Sequence, residues 1–423
     1  MNTTCAAPKL DEASSSEPGQ RLPSQCQVIC VCGGLGFPLT AGASRIVNIG
    51  KALRAGGIGL RVLHCGPSPV PRNTERAGVY EGIPFQYTAC VKKPKSAPAR
   101  FLVYIWALAG LTARLVRLWP ERRRTVVYMY IMHGPLLLYV GWLCRLLGFP
   151  LVQEMCEWFP QEDCYSGLTK WIYRKAIFRQ ATGFLVISKM IERHVRERSA
   201  AANPSLLIHR LPCIVDSGRF LAAPPRDRNG DVPHFVWCGV GWRDDALFLV
   251  RALRRVELAG YRAKLRMMGA FTDYEPDLIP NYAREQGLSP DALVLMGCVD
   301  DRTLVESYNS STALLLPLWD DKRSRTRLPN KLGEYLASGR PVITGKMGDL
   351  LDFLEDGVSA YIGEPGDERQ FAENMIAVLR DPARAAEIGA AGQRACLKTL
   401  DYRAHTDSLA KFFTACVERR AGA

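Results

Sequence analysis

The sequence predicts an α/β protein made of two successive doubly wound, Rossmann-like domains facing across a central cleft. Three observations predict it. A short apolar run of strand length, Cys26–Cys32 (CQVICVC), is followed by Gly33-Gly34, an amphipathic helix and a second apolar run. The same grammar recurs along the first half and restarts after the Pro-, Asp-, Arg- and Gly-rich stretch from Leu221 to Pro233. At 423 residues the chain also exceeds what one core comfortably serves, and a 48% apolar, 23% charged composition is that of globular domains.

The elements follow in order. In the segment Gly42–Ala55, Ile46, Ile49 and Leu53 share one helical face, and Gly56-Gly57 ends the helix before a strand at Ile58–Cys65. Parallel pairing is the natural outcome, because a helical crossover joins the two strands. Further strands are expected at Thr125–Ile131, Leu151–Met155 and Gly183–Ile187. In the second half strands are expected at Phe235–Cys238, Lys264–Met268, Leu293–Met296, Ala313–Leu316 and Pro341–Thr344. Helices are expected at Asp245–Leu258 and Lys331–Ser338, with a last one from about Asp401 to Arg419. The expected organisation is a disordered tail at 1–24, a first domain at 25–220, a linker at 221–233 and a second domain at 234–400. The final helical segment, 401–423, is expected to pack back on the first domain. Sheets of this type bind ligands at the carboxyl ends of their strands.

The charge is uneven. Residues 1–220 hold 28 Lys+Arg against 13 Asp+Glu, and the remainder 27 against 29, so the net +13 resides in the first half. Only that half is expected to face a polyanion, with anionic lipid, nucleic acid and phosphorylated substrates all open. No nucleic-acid recognition motif accompanies the charge. The 14 cysteines are scattered without a CxxC; Cys26, Cys30 and Cys32 read as small hydrophobes of one strand. The polar opening residues do not match a signal peptide, which points to a reducing cytosol. Phe101–Trp119 is apolar but interrupted by Arg114 and Arg117, so spanning a membrane is not expected. Two readings stand for it: a buried domain helix with Phe101, Ile105, Leu108, Thr112, Leu115 and Trp119 on one side, or a helix lying in a membrane interface. Lys92, Lys93, Lys95 and Arg122–Arg124 favour the second, which would place the protein peripherally on the inner face of the cell membrane.

The most informative segment is Pro329–Gly345, PNKLGEYLASGRPVITG. Pro329 and Asn330 open a short helix whose free amides and dipole favour an anion such as a diphosphate, and Lys331 adds a full charge there. Leu332, Tyr335 and Leu336 form its packed face. Glu334 lies one turn in, where a carboxylate accepts hydrogen bonds from a ribose diol or is simply solvated. In the first half, His133 ends one strand (YMYIMHGP), and Glu154 and Glu157 end the next (QEMCEWFP). Such groups at strand ends position an acceptor hydroxyl or act as a base. The alternatives are a structural histidine and carboxylates that pair with the basic surface.

Pro329–Gly345 closely resembles the donor-binding signature of family 4 glycosyltransferases, retaining enzymes of the GT-B fold. Other segments resemble the family's in the same order: GGLGFPLTAGASR (33–45), LVISKMI (185–191), LPCIVDSGRF (211–220), FVWCGVGWRDDALFLVRAL (235–253), LRMMGA (265–270) and LVLMGCVDDRTLVESYNSSTALLLPL (293–318). The likeness runs from about residue 27 onward. It implies a nucleotide-sugar donor such as a UDP- or GDP-sugar as substrate, with no metal and no cofactor. Its diphosphate would be held by Arg243, Lys331, the amides near Asn330 and the glycine loop at Gly36 and Gly42. Gly269, Val299 and Leu332 would line the nucleotide, and Glu334 the ribose. The acceptor implied is a saccharide or lipid-linked saccharide, with a role in surface polysaccharide synthesis. One departure stands out: the family often carries a second glutamate eight residues before Glu334, and here that position is Thr326, amid Lys322, Arg323, Arg325 and Arg327. Thr326 keeps open a catalytically silent binding or scaffold subunit. A dinucleotide oxidoreductase is the weaker rival, because its fingerprint fails: Gly34 and Gly36 fit, but Leu39 occupies the third glycine position.

Overall fold

A computed structural model describes residues 26–34, 36–39, 41–131, 134–157, 167–221, 232–239, 243–270 and 276–421. The expected tail at 1–24 and most of the expected linker lie outside these. The described residues up to Ile214, together with those from Tyr402 onward, form one compact unit; Val215–Asp401 form the other.

The first unit is an eight-stranded sheet: β1 (Gln27–Gly33), β2 (Gly59–His64), β3 (Ala77–Tyr80), β4 (Ile83–Tyr87), β5 (Thr125–Ile131), β6 (Leu151–Met155), β7 (Gly183–Val186) and β8 (Leu207–Arg210). Their spatial order is β3-β4-β2-β1-β5-β6-β7-β8. Only β3 and β4 pair antiparallel; every other pairing is parallel. Helical crossovers cover both faces of such a sheet, so the central strands carry continuous apolar runs. Val28–Cys32 are accordingly all buried, and so are Ile46, Ile49 and Leu53 on the helix Ala41–Ala55. Cys30 and Cys32 are fully buried free thiols, and burial pushes both thiol pKa values up.

The second unit is a six-stranded parallel sheet: β9 (His234–Cys238), β10 (Lys264–Met268), β11 (Leu293–Gly297), β12 (Ala313–Leu316), β13 (Val342–Gly345) and β14 (Tyr361–Gly363). Its order is β11-β10-β9-β12-β13-β14. Numbered from its own first strand this is 3-2-1-4-5-6, the dinucleotide-fold order, whose direction of winding reverses between the first and fourth strands. Phe235, Leu249, Leu253, Leu265, Leu315 and Ile343 centre its core.

The division between units falls at Ile214 and Val215, earlier than Phe220. Residues 215–221 join the second unit: Phe220 is buried, stacks on Tyr308 with ring centroids 6.0 Å apart, and its carbonyl accepts from Asn309 Nδ2 at 2.8 Å. Where the chain enters and leaves that unit it is tied to itself. The Val215 amide donates to Leu400 O at 2.9 Å, and buried Asp401 accepts from the Ser217 amide at 3.2 Å and from its hydroxyl. Beyond this crossing the helix Thr406–Ala421 lies in the first unit, with Phe413 edge-on to Tyr128 at 5.9 Å and Phe412 stacked on His209 at 5.3 Å.

The apolar segment after β4 is a 21-residue helix, Ala97–Arg117. The buried-helix reading does not hold. Ala107, Leu111 and Leu115, spaced four apart, form the buried side, whereas Phe101 and Ile105 are exposed. Close approach decides the face: a Cβ on Gly110 would sit 2.3 Å from Thr88 O, so only glycine lets the helix lie this near the end of β4.

Candidate functional site

In the second unit the winding reverses between β9 and β12, and sheets of this type bind ligands at the carboxyl ends of the strands at that point. Two helices begin there. Arg243–Leu258 follows β9, and Asn330–Ala337 lies between β12 and β13. Arg243 is the exposed first residue of the former; Asn330, exposed, and Lys331 open the latter. The second helix is locked to β9 by Tyr335, a fully buried side chain whose hydroxyl accepts from the Cys238 amide at 2.9 Å. Tyr308 packs edge-on against Tyr335 at 5.0 Å.

On this aromatic floor Lys331 Nζ donates to Glu334 Oε2 at 3.1 Å and to Tyr308 Oη at 3.3 Å. Burial opposes the ammonium charge, but the Glu334 carboxylate beside it overrides burial and holds the lysine pKa above its ordinary value. Lys331 is therefore a fixed cation. Glu334 turns toward Lys331, so an incoming ligand meets a preformed ion pair.

Gly269 and Val299 close the carboxyl ends of β10 and β11 at the same edge. Gly269 has φ 136 and is buried, and its amide donates to Gly297 O at 2.8 Å. One expected contact needs correction. Leu332 is a core side chain, 0% exposed, with its amide bonded to Pro329 O at 3.0 Å, so it offers a ligand neither group. Thr326 ends a short helix, Lys322–Thr326; it is fully buried and its hydroxyl donates to Lys322 O at 2.9 Å. Arg325 in that helix pairs with Asp320 at 2.7 Å.

The first unit reverses direction between β1 and β5, and the glycine loop follows β1. Gly36 has φ 71, and a Cβ there would lie 2.8 Å from Val70 Cγ2, which accounts for glycine on two grounds. The loop is held by a buried polar set that sequence reasoning did not identify. His64 Nε2 accepts from the Gly36 amide at 3.2 Å, so its Nδ1 carries the proton donated to Gly66 O at 3.0 Å. Asn73 Nδ2 donates to Gly36 O at 2.7 Å, and Tyr87 Oη donates to Phe37 O at 2.6 Å. Burial lowers the His64 pKa to about 4, which keeps the neutral tautomer this geometry requires. Gly42 is the second residue of the following helix and is partly exposed.

Glu154 is not available as a base. It is 2% exposed, pairs with Arg45 Nε at 2.9 Å and accepts from Tyr128 Oη at 2.5 Å. Arg45, equally buried, also donates to Pro212 O at 2.7 Å and Leu211 O at 3.0 Å, so the pair fastens the end of β6 to the segment after β8. Burial raises the Glu154 pKa and Arg45 opposes the rise. The legible signal for this was Arg45 itself, four residues before the core residue Ile49 on an otherwise apolar helix face. Glu157 lies in the bend after β6 and is half-buried. His133 lies outside the described residues. Among the described residues, those expected from sequence that lie at the carboxyl ends of the strands are thus Arg243, Gly269, Val299, Asn330, Lys331 and Glu334 in the second unit, and Gly36, Gly42 and Glu157 in the first.

Comparison with known proteins adds a family. Residues 40–210 match the family described as Glycosyl transferase 4-like domain, and residues 232–381 match Glycosyl transferases group 1. Among curated proteins, a D-inositol 3-phosphate glycosyltransferase of Thermobispora bispora is 26% identical over 144 residues, 34% of this chain and 32% of that protein. A trehalose phosphorylase of Grifola frondosa is 26% identical over 151 residues, 36% of this chain and 17% of that protein. The matched stretches therefore span less than a third of either relative. Among solved structures, sucrose-phosphate synthase of Thermosynechococcus elongatus has a TM-score of 0.69 at 16% identity, covering 94% of this chain and 100% of that one. Anabaena HepE in complex with UDP has a TM-score of 0.67 at 15% identity, covering 92% and 99%.

Proposed function

Because the chain belongs to the group 1 glycosyltransferases, with the two Rossmann-like units of the GT-B fold, we propose that it moves a sugar, with retention, from a nucleoside-diphosphate sugar to a saccharide or lipid-linked saccharide acceptor. The observation that carries this reading is the meeting of two helix N-termini, Arg243 and the Lys331–Glu334 pair at the β9/β12 reversal. A helix start offers unpaired amides and a positive dipole end to a diphosphate. Arg243 and Lys331 supply full charges at the same place. As the bond from the sugar C1 to the phosphate oxygen breaks, negative charge grows on that oxygen, and cations fixed beforehand lower the barrier without reorganising. Glu334 is assigned to the ribose, and Gly269 and Val299 flank the base. Attack by the acceptor hydroxyl on the face the leaving group vacates, its proton passing to the departing phosphate oxygen, gives retention, so no covalent nucleophile is assigned, and neither is a metal or cofactor. The UDP-bound and UDP-glucose-bound forms of HepE support a uridine nucleotide as the first donor to try. A role in surface polysaccharide synthesis fits the basic first half.

Calorimetric titration of UDP and GDP into the wild type, Lys331→Ala and Glu334→Ala tests the site. Losing a charge-assisted hydrogen bond is worth about 1.5–3 kcal/mol, so affinity should fall about tenfold to a hundredfold. A specific observation favours a second reading: Thr326 is buried and bonded within its own helix where the family often places a glutamate. If neither nucleotide binds the wild type, the reading shifts towards a silent subunit that kept the fold.

A further inference from the structure

The helix Ala97–Arg117 is long and apolar enough to cross a bilayer, yet only 17% of its apolar window is buried. Its start is set by Ser96, whose side chain accepts from the Ala99 amide at 3.4 Å, with Pro98 in the first turn. One side is committed to the first unit. Ala107, Leu111 and Leu115 are buried, Gly110 abuts Thr88 O, and Arg114 Nε donates to Gln86 Oε1 at 2.9 Å. The opposite side carries Phe101, Leu102, Ile105, Trp106 and Val116 into solvent, with Phe101 65%, Leu102 67% and Trp106 50% exposed. At 100° per residue these five fall within one 140° sector and run along about 22 Å of helix. Contiguous apolar surface of this kind is uncommon on a soluble face.

Charge identifies what covers it. From residue 82 to residue 120 the chain has no Asp or Glu and six Lys or Arg. Lys92, Lys93, Lys95 and Arg100 are exposed around the start of the helix, and Arg117 is exposed at its end. Trp119 is exposed just beyond, with the Arg122 guanidinium 4.1 Å over its ring. Apolar and aromatic residues along one face, basic residues at both ends and no carboxylate before Glu121, which pairs with Arg124 at 3.0 Å, match a surface of anionic headgroups over acyl chains. A second copy fits poorly, because a two-fold contact through this face would set the same basic cluster against itself.

We propose that this helix docks the first unit on an anionic lipid bilayer, lying in the plane of the interface. Phe101, Leu102, Ile105 and Trp106 enter the acyl boundary while Lys92, Lys93 and Lys95 meet headgroup phosphates. Crossing the bilayer would strip the Arg114–Gln86 bond and the packing at Gly110, so the helix stays in plane. The inference is independent of the sugar-transfer reading, since it uses no donor-site residue.

Flotation of the full chain with vesicles tests it. The wild type should float with phosphatidylcholine vesicles containing phosphatidylglycerol at low salt, and far less with pure phosphatidylcholine or at high salt. A basic residue near an anionic surface is worth about fivefold in partitioning, so Lys92→Ala/Lys93→Ala/Lys95→Ala should weaken binding about a hundredfold. Leu102→Asp/Trp106→Asp should abolish flotation while melting temperature and UDP titration stay as in the wild type, since both side chains are exposed. Absence of flotation with any vesicle overturns the proposal, as does flotation that neither variant alters. Sedimentation showing a dimer that Leu102→Asp/Trp106→Asp dissolves would also overturn it, by making the face a contact between copies.

Discussion

Replacing Arg45 by methionine separates a structural from a catalytic role for Glu154. The guanidinium makes three buried hydrogen bonds, to Glu154 Oε1 at 2.9 Å, Pro212 O at 2.7 Å and Leu211 O at 3.0 Å. Methionine fills most of the volume but leaves the Glu154 carboxylate with Tyr128 as its named partner and deprives two carbonyls of their donor. Breaking a buried ion pair on one side costs about 3–5 kcal/mol. For a unit of this size that lowers the melting temperature of its transition by about 6–20 °C. The loss should also depend on pH. Without Arg45 the carboxyl pKa in the folded state rises further above its unfolded value of about 4.3. The folded state then binds more protons than the unfolded one, so the variant loses stability as pH rises through and above that value and regains it in acid. Adding Glu154→Gln, which keeps an acceptor for Tyr128, should restore part of the loss and flatten the dependence. Calorimetric melts of the single and double variants between pH 5 and pH 8 measure this, about the range where proteins are most stable. Glu154→Gln alone should leave turnover far above the roughly 10²–10⁴-fold loss expected on removing a general base. An Arg45→Met cost below about 1 kcal/mol, less than breaking a buried pair, would refute the reasoning, and so would a Glu154→Gln enzyme that folds normally and is inactive.

Three further outcomes follow from the same geometry. His64, held neutral with a folded pKa of about 4 against an unfolded value of about 6.5, contributes stability that is complete above about pH 6.5 and lost as pH falls toward 4, up to about 3 kcal/mol; stability curves for His64→Gln should lack that slope. Gly36→Ala places a Cβ 2.8 Å from Val70 at φ 71, so it should destabilise the glycine loop by about 1–3 kcal/mol, read as a lower melting temperature of the first unit. Tyr335→Phe leaves the Cys238 amide without its acceptor, which should cost about 1–3 kcal/mol in urea unfolding and weaken UDP binding by loosening the helix that carries Lys331.

Several of these features were legible before any coordinates. Buried parallel strands are apolar on both faces, so Thr125–Ile131, Leu151–Met155, Lys264–Met268 and Ala313–Leu316 are found where the apolar runs lie. The Asn330–Ala337 helix and its Lys331 were legible for a similar reason: helix starts, charge and packed face are local properties of one short segment. The β3–β4 hairpin escaped notice. It lies at the sheet edge in two short strands: β3 alternates exposed with partly buried residues, β4 buries Ile83, Phe85 and Tyr87, and the turn between them is Glu81-Gly82, at φ 51 and 75, whose glycine is the local signal that went unread.

What sequence alone determined, then, is each element whose cause is contained in its own residues: the two α/β halves, the basic first half, the glycine loop and the helix bearing Lys331 and Glu334. Tertiary structure decided everything that depends on a partner distant in the chain. Glu154 became a buried ion-pair member because Arg45 comes from 109 residues away, and Tyr335 became the clamp on β9 because Cys238 lies 97 residues before it. The helix Ala97–Arg117 is apolar almost all round, so its periodicity could not select an inward face. Contacts with distant residues, Gly110 against Thr88 and Arg114 with Gln86, selected one, and that choice left Phe101, Leu102, Ile105 and Trp106 facing outward.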